Sequence, residues 1–208
     1  MLTPMALLLS EPQLWQAATR HRFLDEIRAG ELPRPAFDRW LAQDYHYVEA
    51  LVRAQARITA GAPRPDFAVL AGGVTALVAE LTWFEAQAAA RTLALDAPVH
   101  PTCAAYCDHL LALTYAPYPA QITGLWAVER AYLDAWTGAQ PGAAGYEPFV
   151  AHWTVPEFAA YVSGLEQAAA AALAVAAPAA AQAAAEAFRR VARHERDFWQ
   201  MAYAGEVS

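Results

Sequence analysis

The sequence has no lysine. All fourteen of its basic residues are arginine, so no side chain can form a Schiff base with a carbonyl substrate. Cysteine is scarce as well: Cys103 and Cys107 are the whole supply. Without a secretion signal, so few thiols predict a reducing, cytoplasmic location and no disulfide framework. A basic surface is missing too. The net charge is −7, which argues against nucleic acid as the main partner. No run of about 18 strongly apolar residues is free of charge, so no membrane span is expected. The opening "MLTPMALLLSEPQLW" lacks the basic flank and cleavage site of a signal peptide. Alternating β-branched runs are absent, and with them any strand.

What is present is helix. Proline and glycine clusters divide the 208 residues into segments at about 11–29, 35–60, 66–95, 102–113, 119–137, 147–152 and 155–176, with a last one reaching about 204. Gly72-Gly73 marks a possible kink in the third. "VHPT" offers proline and a capping hydroxyl at Thr102 for the fourth. The alanine-rich stretch 168–187 reads as plain helix. The fold class expected is all-α, a helical bundle forming one domain over residues 1–208.

Three helical faces carry an anomaly. Phe37, Trp40, Leu41, Asp44, Tyr47, Val48 and Leu51 share one face of the second long helix. Ile122, Leu125, Trp126, Glu129, Tyr132, Leu133 and Trp136 do so on the fifth. Phe188, Val191, Ala192, Glu195, Phe198, Trp199 and Ala202 repeat the pattern on the last. Each apolar stripe has a carboxylate at its centre. A buried acid without a partner costs several kcal/mol or takes up a proton. One such acid, paired with a buried donor, would only fix helix register. Three arranged alike, each among aromatics, point to a polar pocket inside the bundle. Tyr45, Tyr47, Tyr106, Tyr132, Trp126 and Trp153 supply rings nearby, which suits a flat, nitrogen-rich heterocycle held by acids.

Metal chemistry has little support. Glu129 lacks a histidine at 132 or 133, and Glu195 lacks one at 198 or 199, so the acid-plus-histidine spacing of a di-iron bundle is missing. His46 and His194 lie off the acid stripes, and His21 reads as a core-edge histidine. Cys103 and Cys107 sit at i, i+4 without a neighbouring histidine, a pattern of buried free thiols rather than a zinc site.

Several segments together resemble the TenA (thiaminase II) family: "WLAQDYHYVEAL", "HPTCAAYCDHL", "LWAVERAYLDAW", "HWTVPEFAAYV" and "ARHERDFWQMAY". The likeness runs from about residue 12 to 204. It implies the haem-oxygenase-like bundle, no cofactor, a homotetramer, and hydrolysis of an aminomethyl- or formylaminomethyl-pyrimidine to the hydroxymethylpyrimidine in thiamin salvage. Carried over by position, Asp44 would bind the amino and ring-nitrogen edge of the pyrimidine. Tyr47 and Tyr106 would line the pocket, Tyr132 would contact the reacting region, and Glu195 would serve as acid/base at the departing ammonia. Much of that family uses a cysteine nucleophile where this chain reads Trp126-Ala127-Val128-Glu129. Glu129 is the candidate replacement, and Trp153 stands where many relatives have tyrosine. The alternatives on the same fold are a di-iron or cofactorless oxidase and a non-catalytic binding or regulatory protein. Trp83 and Phe84 beside Trp15 are candidate exposed aromatics for a subunit interface.

Overall fold

In a computed structural model, which describes residues 2–205, the chain is helical from end to end. The helices are α1 (Pro4–Ser10), α2 (Pro12–Thr19), α3 (Arg22–Ala29), α4 (Arg34–Gly61), α5 (Phe67–Arg91), α6 (Pro101–Leu113), α7 (Tyr118–Gly138), α8 (Glu147–His152), α9 (Pro156–Ala174) and α10 (Pro178–Ala204). No strand forms among the described residues. Proline occupies the first turn of eight of them, where its missing N–H costs nothing. Gly30, at φ +77°, closes α3, and Gly205, at φ +76°, closes α10, the left-handed cap that glycine adopts without strain.

Four boundaries differ from expectation. The first long segment is two helices, not one. Arg20 and His21 are extended, and the His21 Nδ1 accepts the Phe23 N–H at 3.1 Å, starting α3 afresh. Trp199 pins the break from the far side by donating its indole N–H to the Ala18 carbonyl. A further helix, α1, covers the short apolar run at the start. Helix α5 stops at Arg91 rather than near 95, because Thr92 turns left-handed and Leu93 N–H bonds back to the Ala88 carbonyl. The cap of α6 is the His100 imidazole, which accepts from Thr102 N–H, so the Thr102 hydroxyl is not the cap.

Helices α4, α7 and α10 form the centre, with α10 lying along α7 and α2, α4 along α5 and α6, and α7 along α9. One apolar cluster reaches residues of nearly every helix, and a small second one sits around Leu113, Ala120 and Leu173. Helix α5 runs unbroken through Gly72-Gly73. Space is short at Gly73: a Cβ there would stand 2.0 Å from Gln55 Nε2 and 2.3 Å from the Tyr161 hydroxyl. By length and composition the segment Arg64–Arg91 could cross a membrane, at a mean hydropathy of 1.7. In the bundle its inner face packs on α4 and its outer face is built of small and apolar residues.

Candidate active site

The three stripe acids all turn inward. Asp44 is 0% exposed, Glu129 6% and Glu195 1%, each from a different central helix. No arginine is among the buried residues; the arginines form their ion pairs at the surface. Tyrosines take the place of cations. The Tyr132 hydroxyl donates to Asp44 Oδ1 at 2.5 Å, and the Tyr106 hydroxyl donates to Glu195 Oε1 at 2.6 Å. Both bonds are short and enclosed, as expected where the acceptor carries charge or shares a proton.

Asp44, Tyr47, Glu129, Tyr132 and Trp153 line one small cavity, whose apolar wall is Val48, Leu51, Leu77 and Val128. Three polar atoms on this wall have no hydrogen-bond partner: Asp44 Oδ2, Glu129 Oε1 and the Tyr47 hydroxyl. Glu195 and Tyr106 stand one layer behind, and the Tyr106 ring lies 4.5 Å from that of Tyr47. Sequence reasoning therefore named residues that the fold assembles, in two layers rather than one.

Burial dominates the proton chemistry. It pushes the Asp44 carboxyl up to about 7 against the opposing hydrogen bond from Tyr132. Burial likewise raises Glu129 to about 8, opposed by the nearby Tyr161 hydroxyl. Glu195 rises to about 8, mainly from burial, with the negative fields of Asp44 and Glu129 adding to it. Acids in this range can hold or release a proton at neutral pH, which is the requirement for general acid and base work.

Three participants escaped the sequence reading. Glu80 of α5 lines the same cavity and accepts the Trp153 indole N–H at 3.2 Å. Its signal was available: Leu70, Gly73, Leu77, Glu80 and Phe84 follow a helical stripe, and the other four are buried. Gln55, wholly buried, bonds the Leu70 carbonyl and the Tyr161 hydroxyl, both at 2.9 Å. Tyr161 in turn faces Glu129 from α9. Nothing in the local sequence couples these two, because residues 55 and 161 meet only through the fold.

Other candidates fall elsewhere. Tyr45 points away and donates to Glu85 at 3.1 Å, while Trp126 stacks on Phe188. The expected exposed aromatics do not exist as a patch. Phe84 is 0% exposed, Trp15 stacks on Phe188, and Trp83 lies flat on His152 with centroids 4.0 Å apart. His21 caps a helix and contacts Gln200 at 3.2 Å. Cys103 is buried and Cys107 half-buried, both free. Among the described residues, no group of three or more His, Cys, Asp or Glu is arranged to hold a metal ion.

The chain matches the TENA/THI-4/PQQC family over residues 11–205. It belongs to that family. A "Probable bifunctional TENA-E protein" of Glycine max is 29% identical over 201 residues, covering 91% of this chain and 88% of the relative. A TenA homologue from Pyrococcus furiosus superposes with a TM-score of 0.92 at 26% identity, covering 96% of this chain and 98% of the other. A Silicibacter protein named as a TenA family transcription regulator shares the fold at 21% identity and a TM-score of 0.87, covering 96% of each chain. The haem-oxygenase-like helical fold and a TenA-type, thiamin-related function are thereby supported.

Proposed function

We propose that the chain is an aminopyrimidine aminohydrolase, cutting the exocyclic C–N bond of a 5-aminomethyl- or formylaminomethyl-pyrimidine to give the hydroxymethylpyrimidine for thiamin salvage. One observation carries the reading: two unpartnered carboxyl oxygens, on Asp44 and Glu129, and an unpartnered tyrosine hydroxyl share a cavity with no buried cation. Buried polar groups are rarely left unpaired unless a ligand or water completes them. The ligand that fits these acceptors is rich in N–H and flat enough for the tyrosine and tryptophan walls.

Asp44 Oδ2 takes the amino and ring-nitrogen edge, while Tyr132 holds Oδ1. Tyr47 and Trp153 bracket the ring. For the amine, the reaction is R–CH2–NH3⁺ + H2O → R–CH2–OH + NH4⁺. Ionised Glu129 draws a proton from water as the water oxygen bonds to the methylene carbon. The C–N pair of electrons leaves with nitrogen as NH3, and Glu195, a layer behind, supplies by way of a water the proton that makes it NH4⁺. Solvent then returns the proton from Glu129 to Glu195. In the covalent variant, a Glu129 oxygen bonds to the methylene first and water hydrolyses the ester. The two carboxyls rise to similar values, so a singly ionised pair exists around pH 8 and activity peaks there.

The name of the soybean relative and the family membership support a TenA-type activity. The test is metal-free incubation of purified protein with 4-amino-5-aminomethyl-2-methylpyrimidine, following the hydroxymethyl product by mass spectrometry beside Glu129→Gln. Product from wild type alone supports the hydrolase and the role of Glu129. Binding without product from either moves the reading to a different leaving group or a non-catalytic binder. The homotetramer and cytoplasmic location belong to the same proposal, and sedimentation and fractionation test them.

A further inference from the structure

The inner cavity measures about 10 Å³, room for roughly one water. A substituted pyrimidine needs far more, since small-molecule pockets usually span about 300–1,000 Å³. Next to it lies a groove of about 560 Å³ between α5 and α9, open to solvent. Glu80 and Trp153 line both spaces. A single hydrogen bond of 3.2 Å, from the Trp153 indole N–H to Glu80, joins them where the two spaces meet.

The two partners in that bond differ in freedom. Trp153 is 2% exposed and wedged among rings: stacked on Trp136 at 4.8 Å, and edge-on to Trp40, Trp83 and Tyr132. It cannot swing without taking apart the aromatic core. Glu80 is only half-buried as a residue, reaching from the inner stripe of α5 to the groove, and its one side-chain hydrogen bond is the one from Trp153. The buried contacts further in, Tyr132 to Asp44 on the wall and Tyr106 to Glu195 behind it, are shorter.

We propose that Glu80 is the moving leaf of a gate, with Trp153 as its fixed post: when the leaf swings aside, the small inner space and the α5–α9 groove become one, and an aminomethylpyrimidine enters from the groove to reach the inner acids. This rests on the reading of the inner cavity as a pyrimidine site. The occupant is argued from continuity, because the groove meets that site at these two residues. Its chemistry agrees: Glu80 and Glu157 offer carboxyl oxygens to an amine, between the rings of Phe158 and Trp153. Burial and the nearby Glu129 and Asp44 push the Glu80 carboxyl well above the usual carboxylate range; leaving the indole N–H, it accepts a hydrogen bond from the incoming amine and returns once the ligand has passed. A gate changes how fast the ligand enters and leaves, whereas a binding group changes how tightly it stays.

The experiment uses the full chain carrying Glu129→Gln, mixed rapidly with 4-amino-5-aminomethyl-2-methylpyrimidine and followed by tryptophan fluorescence. In that background two further changes are compared. Gly72→Phe plugs the groove, since a Cβ at Gly72 meets nothing within 4 Å and the position lines the groove wall. Glu80→Ala removes the leaf. Gly72→Phe is expected to slow association and dissociation together by about tenfold, leaving Kd nearly unchanged. Glu80→Ala is expected to quicken both, again with a smaller change in Kd. Unchanged rates in Gly72→Phe, with circular dichroism and melting midpoint like the parent, overturn the gate. So does a weaker Kd in Glu80→Ala at unchanged association rate, which makes Glu80 a binding group. Absence of binding to the parent and to the wild type overturns the pyrimidine reading, and the gate with it.

Discussion

Trp40 and Asp44 stand one turn apart on the same face of α4, both 0% exposed, yet they belong to opposite regions. Around Trp40 everything is ring: Phe23, Phe37, Trp136, Phe149 and Trp153 all pack within about 6 Å between centroids. Around Asp44 are Tyr47, Glu80, Glu129 and Tyr132. Burial stabilises the first region, at about 25 cal/mol per Å² of apolar surface removed from water. Burial destabilises the second, by forcing carboxyls to give up charge or go without solvent. The dry region is the anchor that holds the polar one in shape: Trp153 belongs to both, stacking on Trp136 while donating to Glu80. The lesson is a division of labour along single helices, with stability and chemistry set by neighbouring turns.

The comparison breaks most sharply at Glu129. Glu129→Gln should lower turnover by about 10³-fold, the scale of a lost general base, while leaving the fold intact or firmer. Steady-state kinetics beside a melting curve checks both halves. If stability collapsed with activity, the polar region would be structural after all.

The second way to sharpen it is pH. Asp44, Glu129 and Glu195 have carboxyl values raised in the folded chain from 3.8, 4.5 and 4.5 to about 7, 8 and 8. The unfolded chain releases these protons near pH 4, whereas the folded chain keeps them until pH 7–8. The folded chain thus binds more protons in between, so the stability these three groups contribute is fully present below about pH 4 and is lost progressively up to about pH 8. The three-unit shift of Asp44 alone corresponds to on the order of 4 kcal/mol. Denaturant melts at pH 5 and 8.5 should show the decline, and Glu129→Gln should flatten it. A wild-type curve level across that range would remove the premise that these acids are dry.

In the apolar region the expected pattern inverts. Trp40→Ala should cost about 3–5 kcal/mol through the cavity it leaves, with the pH slope of stability preserved. Urea unfolding at two pH values measures both. The smallest effect is expected at the seam. Gly73→Ala drives a methyl against Gln55 and Tyr161, at a cost of about 1–3 kcal/mol. Because Tyr161 faces Glu129, the alkaline and acid limbs of the rate profile should move as well. A loss of stability with the profile unmoved would show that Gln55 and Tyr161 only fill space.

Much of the site was legible because its residues repeat a local contradiction. A carboxylate inside an apolar stripe stands out at helical spacing whatever the tertiary structure, and Asp44, Glu129 and Glu195 were each visible that way. Glu80 carried the same signature between Leu77 and Phe84 but sat in a helix whose alanine and glycine content blurs the stripe. The extended link at Arg20–His21 was not legible: no proline or glycine marks it, and the stop is stabilised by Trp199, far along the chain. Phe84 and Trp15 read as exposed aromatics because whether a ring meets solvent or another helix is not a local property.

By itself, the sequence determined that this protein is a helical bundle with carboxylates inside it, since periodicity and proline placement act within a few residues. Only the tertiary structure decided that tyrosines rather than arginines meet those acids. It also decided that Glu195 stands a layer behind Glu129, and that Glu80 and Trp153 meet where a groove adjoins a cavity. Each of these joins residues tens of positions apart, and their meeting depends on how α4, α5, α7 and α10 pack, which no single stretch of chain encodes.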